Sequence, residues 1–165
     1  MSGAEPYRVC VVCSGNICRS PMGEVVLRRK LEEAGLGDRV VVDSAGTGDW
    51  HVGGGADPRT LTALTAGGYD GSAHRAQQFG ETWVNERDLV LVADEGHLRA
   101  IRALAAAGDT THVRLLRSFD PAAVEAGTLE VDDPYYGADD GFDRCLREVE
   151  AACDGVVAHL ETTLR

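Results

Sequence analysis

Cys13 is followed six residues later by Arg19, with Gly15 and Asn16 between them and Ser20-Pro21 immediately after. These residue types suit phosphoryl transfer. A tight loop entering a helix turns several backbone N–H groups into one concavity, where the helix dipole adds positive potential and favours an anion. Gly15 and Asn16 tolerate the left-handed backbone that such a loop needs. Arg19 can grip two phosphate oxygens with its planar fork. The same field favours a thiolate at Cys13, so the eight residues Cys13, Ser14, Gly15, Asn16, Ile17, Cys18, Arg19 and Ser20 supply a nucleophile and its oxyanion cradle.

Transfer to a cysteine also needs an acid for the leaving oxygen. Asp132-Asp133-Pro134-Tyr135-Tyr136-Gly137 is the best source of one. Pro134 stiffens the chain after the acid, and Tyr135 and Tyr136 can wall a pocket for a flat aromatic leaving group. Without the cysteine loop, the same stretch reads as an acidic turn before a helix. Trp50, in a Gly-rich stretch over residues 46–56, is either a second wall or a lid on the core.

Alternating elements must position these groups. Residues 7–12 read as a strand, and Ser20 as the N-cap of a helix with Pro21 at its first position and Gly35 at its end. Residues 40–42 give a second strand. Asp57-Pro58 opens a helix that runs to Gly67. Residues 89–93 form a continuous apolar run, as expected of a buried parallel strand, and Leu98, Ile101, Leu104 and Ala105 recur at helical spacing. Residues 113–116 are a fourth strand candidate, and an amphipathic helix covers about residues 142–160. This alternation predicts one α/β domain over residues 1–165 with a parallel sheet, whose ligands bind beyond the carboxyl ends of the strands, where Cys13 lies.

The chain has 165 residues, a mass of 17.5 kDa and a formal net charge of -11, which argues against nucleic acid and anionic membranes as partners. No apolar run approaches a membrane span, and no signal-peptide pattern precedes residue 8, so a cytoplasmic location is expected. Five cysteines leave at least one thiol free. Cys10 and Cys13 spell a dithiol motif, but in a strand they lie about 10 Å apart on opposite faces, too far for a disulfide. No fourth ligand makes a zinc site, and the five histidines are scattered, so zinc is not expected. A nucleotide loop would need Gly-Lys-Ser/Thr where Cys18-Arg19-Ser20 stands.

The stretch Val11-Val12-Cys13-Ser14-Gly15-Asn16-Ile17-Cys18-Arg19-Ser20-Pro21-Met22, with Asp133-Pro134-Tyr135-Tyr136-Gly137, resembles the bacterial low-molecular-weight protein tyrosine phosphatases. The resemblance extends to Ser44-Ala45-Gly46-Thr47, Asp49-Trp50-His51-Val52-Gly53, Ala73-His74-Arg75-Ala76 and Arg117-Ser118-Phe119-Asp120-Pro121. It implies a four-stranded parallel sheet flanked by helices on both faces, flavodoxin-like, and hydrolysis of phosphotyrosine in proteins. Cys13 would form a phosphocysteine, Arg19 would bind the phosphoryl oxygens, and Asp133 would act as acid and then base. Ser20 would donate to the thiolate, Asn16 and His74 would hold the loop, and Trp50, Tyr135 and Tyr136 would line the slot. Cys18 would guard Cys13 through a reversible disulfide, and neither metal nor organic cofactor would be needed. Tyrosine-phosphorylated proteins are the implied partners, a tyrosine kinase acting on Tyr135 or Tyr136 is left open, and the chain would be a monomer or weak dimer.

Two relatives of that fold fit less well. A thiol-dependent arsenate reductase needs a further cysteine pair in mid-chain, whereas residues 19–144 contain none. Arginine phosphatases typically carry Thr where Ile17 stands and lack the paired tyrosines. A binding module that has lost catalysis is a third reading, which the intact set of Cys13, Arg19 and Asp133 disfavours.

Overall fold

Four strands, β1 (Tyr7–Cys13), β2 (Val40–Gly46), β3 (Leu89–Val92) and β4 (Val113–Leu115), pair in parallel in the order β2-β1-β3-β4. They are seen in a computed structural model that describes residues 5–105, 108–138 and 140–164. Among the described residues six helices accompany them: α1 (Arg19–Glu33), α2 (Pro58–Ala66), α3 (Trp83–Glu86), α4 (Glu95–Leu104), α5 (Pro121–Ala126) and α6 (Asp140–Thr163). A 3-10 turn at Leu116–Phe119 follows β4.

The two central strands, β1 from Val9 onward and β3, are apolar on both faces because both are covered. In β1, Val9, Val11 and Cys13 face a core shared with α1, α2 and α6, whereas Cys10 and Val12 face a second core with Val84 of α3 and Leu98 and Ile101 of α4. Cys10 and Cys13 therefore lie on opposite sides of the sheet. Leu89 and Leu91 of β3 join the first core, and Val90 and Val92 the second. The expected flavodoxin-like sheet with helices on both faces is what the chain adopts.

In this strand order the chain leaves β1 for one neighbour and later returns on its other side at β3. The crevice beyond the carboxyl ends of β1 and β3 is the topological switch point, where such sheets hold ligands. Cys13 ends β1, and Asp94 lies just past the end of β3.

Several local readings change. α1 starts at Arg19 with Cys18 as N-cap residue and no side-chain cap, so Ser20 does not cap it. Asp57, with the same Xaa-Pro signal, does cap α2, its carboxylate accepting from Arg59 N. β2 continues beyond residue 42 to Gly46, because Ser44 finds hydrogen-bond partners inside the protein. α3, the 3-10 turn and α5 were not expected. α5 carries the same signal as α2, with Asp120 accepting from Ala122 N ahead of Pro121. Among the described residues, no helix is long and apolar enough to cross a membrane.

Candidate active site

Between Cys13 and α1 the backbone folds so that its carbonyls face outward and its amides inward. The carbonyl oxygens of Cys13, Ser14, Ile17 and Cys18 accept from the backbone N–H groups of Thr47, Gly48, Asp57 and Met22 at 2.9 to 3.3 Å. The backbone N–H groups of Gly15, Asn16, Ile17 and Cys18 donate to no acceptor among the described residues. Unpaired amides gathered at a helix start form an anion nest.

Only Asn16 in this loop is left-handed, at φ 59°. The expectation for Gly15 is thus corrected: its value is space, since a Cβ there would stand 2.9 Å from the His51 ring. Gly46, at the end of β2, is needed for the same reason, because a Cβ would come 2.5 Å from the Ser14 carbonyl.

Asn16 is fully buried and organises the loop from behind. Its Nδ2 donates to Ser20 Oγ (2.7 Å) and Ser44 Oγ (3.0 Å), and its Oδ1 accepts from Gln77 N (2.9 Å). With its oxygen filled from Asn16, Ser20 is left to direct its own proton at Cys13 Sγ, 2.9 Å away. Ser20 N lies 3.4 Å from the same sulfur. Ser44 in turn donates to Glu24 Oε1 at 2.6 Å. His74 Nε2 donates to the Asn16 carbonyl (2.7 Å), and its other ring nitrogen lies 3.8 Å from Glu24. Burial pushes the Glu24 carboxyl up, but His74, Ser44 and Arg28 outweigh it and hold the group below its ordinary range.

Arg19 is 4% exposed and bound on one side. Its Nη1 donates to Asp94 Oδ2 (3.0 Å) and the Val131 carbonyl (2.8 Å). The Nε–Nη2 edge is left to take two oxygens, and Nη2 stands 3.7 Å from Asp133 Oδ2. The two adjacent acids diverge. Asp133 is turned towards Arg19 and braced by Tyr135 N at 3.0 Å, whereas Asp132 reaches Arg144 at 3.4 Å and is 74% exposed.

Asp94 connects Arg19 to His97, which sequence reasoning missed. Asp94 caps α4 by accepting from His97 N, and its own N–H faces His97 Nδ1 at 3.3 Å. A backbone N–H can only donate, so the ring proton belongs on Nε2, which donates to Ser14 Oγ at 2.8 Å. Burial depresses the His97 pKa to about 4 against the pull of Asp94.

A folded-state pKa of about 4 against an unfolded 6.5 means that the unfolded chain takes up this proton first as pH falls. The associated stability is present above about pH 6.5, is lost towards pH 4, and is on the order of 3 kcal/mol. His97→Asn should abolish that loss. In urea titrations from pH 7 to pH 4, the stability difference between wild type and variant is expected to shift by this order in favour of the variant. A difference independent of pH would show that His97 does not titrate in this way.

The parts meet in a cavity of about 470 Å³ lined by Cys13, Ser14, Gly15, Ile17, Cys18, Arg19, Trp50, His51, Asp133, Tyr135 and Tyr136. Asn16, Ser20 and His74 lie behind it as supports. Trp50 is a wall rather than a core lid: it is 70% exposed, and its ring covers Gly48 so closely that a Cβ there would stand 2.2 Å from it. Tyr135 and Tyr136 meet edge to face at 4.9 Å, with Tyr136 89% exposed. Such walls suit a flat aromatic ring. Cys18 is buried, and burial pushes its thiol up to about 12. Glu24, Gln77, Asp94 and His97 are site residues outside every motif, while Ser44 and His51 lie in stretches of the resemblance without a role assigned to them. For Asp94, its position just past an apolar strand is the available signal.

A sequence profile described as "Low molecular weight phosphotyrosine protein phosphatase" matches residues 8–165. A Streptomyces coelicolor "Low molecular weight protein-tyrosine-phosphatase" is 58% identical over 153 residues, covering 92% of each chain. Among solved structures, YfkJ from Bacillus subtilis superposes with a TM-score of 0.92 at 27% identity, covering 99% of this chain and 100% of its own. A structure described as a Drosophila arginine phosphatase superposes at 0.82 with 26% identity, covering 92% of this chain and 96% of its own.

Proposed function

Because this chain belongs to the low molecular weight phosphotyrosine protein phosphatase family, we propose that it hydrolyses phosphotyrosine in proteins through a phosphocysteine on Cys13. The observation that carries this reading is the convergence of Cys13, Arg19 and Asp133 on one aromatic-walled cavity. Residues 1–165 act as one phosphatase domain.

The phosphoryl group enters the amide nest, where the Nε–Nη2 edge of Arg19 takes two of its oxygens. Cys13 Sγ attacks phosphorus as the bond to the tyrosine oxygen breaks, and the Asp133 carboxyl gives that oxygen its proton. Water then attacks phosphorus, Asp133 accepts its proton, and the sulfur–phosphorus bond breaks to release phosphate and the thiolate. Ser20 Oγ, 2.9 Å from Cys13 Sγ, steadies the sulfur as it leaves phosphorus. Trp50, Tyr135 and Tyr136 hold the ring.

Cys18 acts as guard. Peroxide oxidises Cys13 to the sulfenic acid, and the Cys18 sulfur displaces water to close a disulfide that external thiol reopens. The five free cysteines suit a reducing compartment such as the cytoplasm. Tyr136, the most exposed ring at the mouth, is the more accessible of the pair to a tyrosine kinase.

The assignment of the acid is tested by Asp133→Asn. The value of kcat/KM for phenyl phosphate, whose leaving oxygen needs a proton, is expected to fall by about 10² or more, and for 4-nitrophenyl phosphate several-fold less. Equal losses on both substrates would take the acid role from Asp133, and Asp132→Asn would then be the variant to compare.

A further inference from the structure

The segment that carries Asp133, residues 130–137, belongs to no helix or strand. On the side away from the active site lies a second cavity of about 520 Å³, lined by Glu95, Arg117, Glu130, Asp132, Arg144 and Glu148 together with residues 127–129. Val131 is its buried anchor, donating to the Ala93 carbonyl at 2.8 Å. Glu130 Oε2 accepts from Glu95 N at 2.9 Å, and the remaining ties come from arginines. Arg19 holds the Val131 carbonyl, Arg144 reaches Asp132, and Arg117 donates through Nη1 to the Glu130 carbonyl at 2.9 Å.

Like Arg144, Arg117 has no part in the chemistry described above, but it is much less exposed and grips backbone rather than a carboxylate. It rises from the 3-10 turn after β4, its Nη1 lies 3.6 Å from Glu148 on α6, and its Nε is enclosed without a hydrogen-bond partner among the described residues. An enclosed, unpartnered donor is destabilising. That fits a side chain kept for where its other nitrogen reaches.

We propose that Arg117, braced by Glu148, is a positioning residue for the general acid: its grip on the Glu130 carbonyl fixes the segment from which Asp133 reaches the leaving oxygen. The inference rests on Asp133 being that acid. Without the grip, Glu130 keeps only its side-chain bond from Glu95 N, and the cavity beside the segment gives its backbone and Asp132 room to shift, while Cys13, Arg19 and the amide nest stay in place. Loss of Arg117 therefore weakens proton delivery and spares phosphate binding.

The test measures kcat/KM of the full chain for a series of aryl phosphates, with inorganic phosphate as competitive inhibitor. Arg117→Met is expected to lower kcat/KM for phenyl phosphate about tenfold and for 4-nitrophenyl phosphate less than about threefold, since a small misplacement of a catalytic group is penalised only where that group is needed. The inhibition constant for phosphate should stay within about twofold, because the nest and Arg19 are untouched. Arg117→Lys, which keeps a cationic donor, should recover part of the phenyl phosphate rate. Equal losses on both substrates, no loss on either, or a weakened phosphate constant would overturn the proposal. If Asp133→Asn keeps its selective loss in that event, the acid assignment survives. If that selectivity is also absent, both fall together.

Discussion

Cys13→Ser is expected to lower kcat/KM for every aryl phosphate by more than about 10⁴-fold while leaving inorganic phosphate bound within a few-fold of wild type. The two halves have separate causes. A serine hydroxyl is far less acidic than a thiol, and the field of one amide nest and Ser20 is insufficient to ionise it near neutral pH. Phosphate binding, by contrast, depends on the amides of Gly15 to Cys18 and on Arg19, none of which the substitution touches. The variant should also keep its fold, since the introduced hydroxyl would occupy the place of the sulfur beside Ser20 and the amides would remain closed around it. Turnover rates with phenyl phosphate and phosphate binding by calorimetry read the two halves independently. A variant with a tenth of wild-type turnover would remove Cys13 as nucleophile, and loss of phosphate binding would place the thiolate in the cradle itself.

The second large effect concerns stability. Gly155 lies in the middle of α6, where alanine would ordinarily gain about 1 kcal/mol in helix propensity. Here a Cβ would stand 1.7 Å from the Phe119 carbonyl oxygen and 2.6 Å from its carbon. Both are backbone atoms of the 3-10 turn, so no rotamer change relieves the overlap, and either the helix or the turn must move. Overpacking of this kind exceeds the propensity gain, and Gly155→Ala is expected to destabilise the chain by about 3 kcal/mol or more. The urea midpoint should fall with an unchanged slope. Because the displaced turn carries Arg117, any folded fraction should also lose rate selectively on phenyl phosphate. A variant as stable as wild type would mean that α6 and the turn are less tightly docked than the geometry requires.

Comparison of the three Xaa-Pro signals explains how far local reading reaches. Asp57-Pro58 and Asp120-Pro121 behave as helix starts because each carboxylate accepts from the first turn of its own helix. Ser20-Pro21 has the same form and a different outcome: its hydroxyl is taken by Asn16 and Cys13, and α1 begins at Arg19 without a side-chain cap. β2 departs in the same way. Residues 43–46 are too polar to read as a buried strand, yet Ser44 is buried because Asn16 and Glu24 satisfy it.

What the sequence by itself determined was the chemistry held within one short loop, the alternation of elements that places it at the end of β1, and the family to which both belong. Eight consecutive residues reach no further than about 28 Å even when fully extended, so chain connectivity alone keeps Cys13, the nest and Arg19 near one another. The tertiary structure alone decided which distant groups complete the site. Asp133 rather than Asp132 faces Arg19 because Arg144 draws the other carboxylate away. Asp94 and His97 enter because β3 lies beside β1 and brings the start of α4 to the same crevice. Those pairings depend on strand order and helix packing, which are properties of the whole chain and leave no mark in the spacing of any one motif.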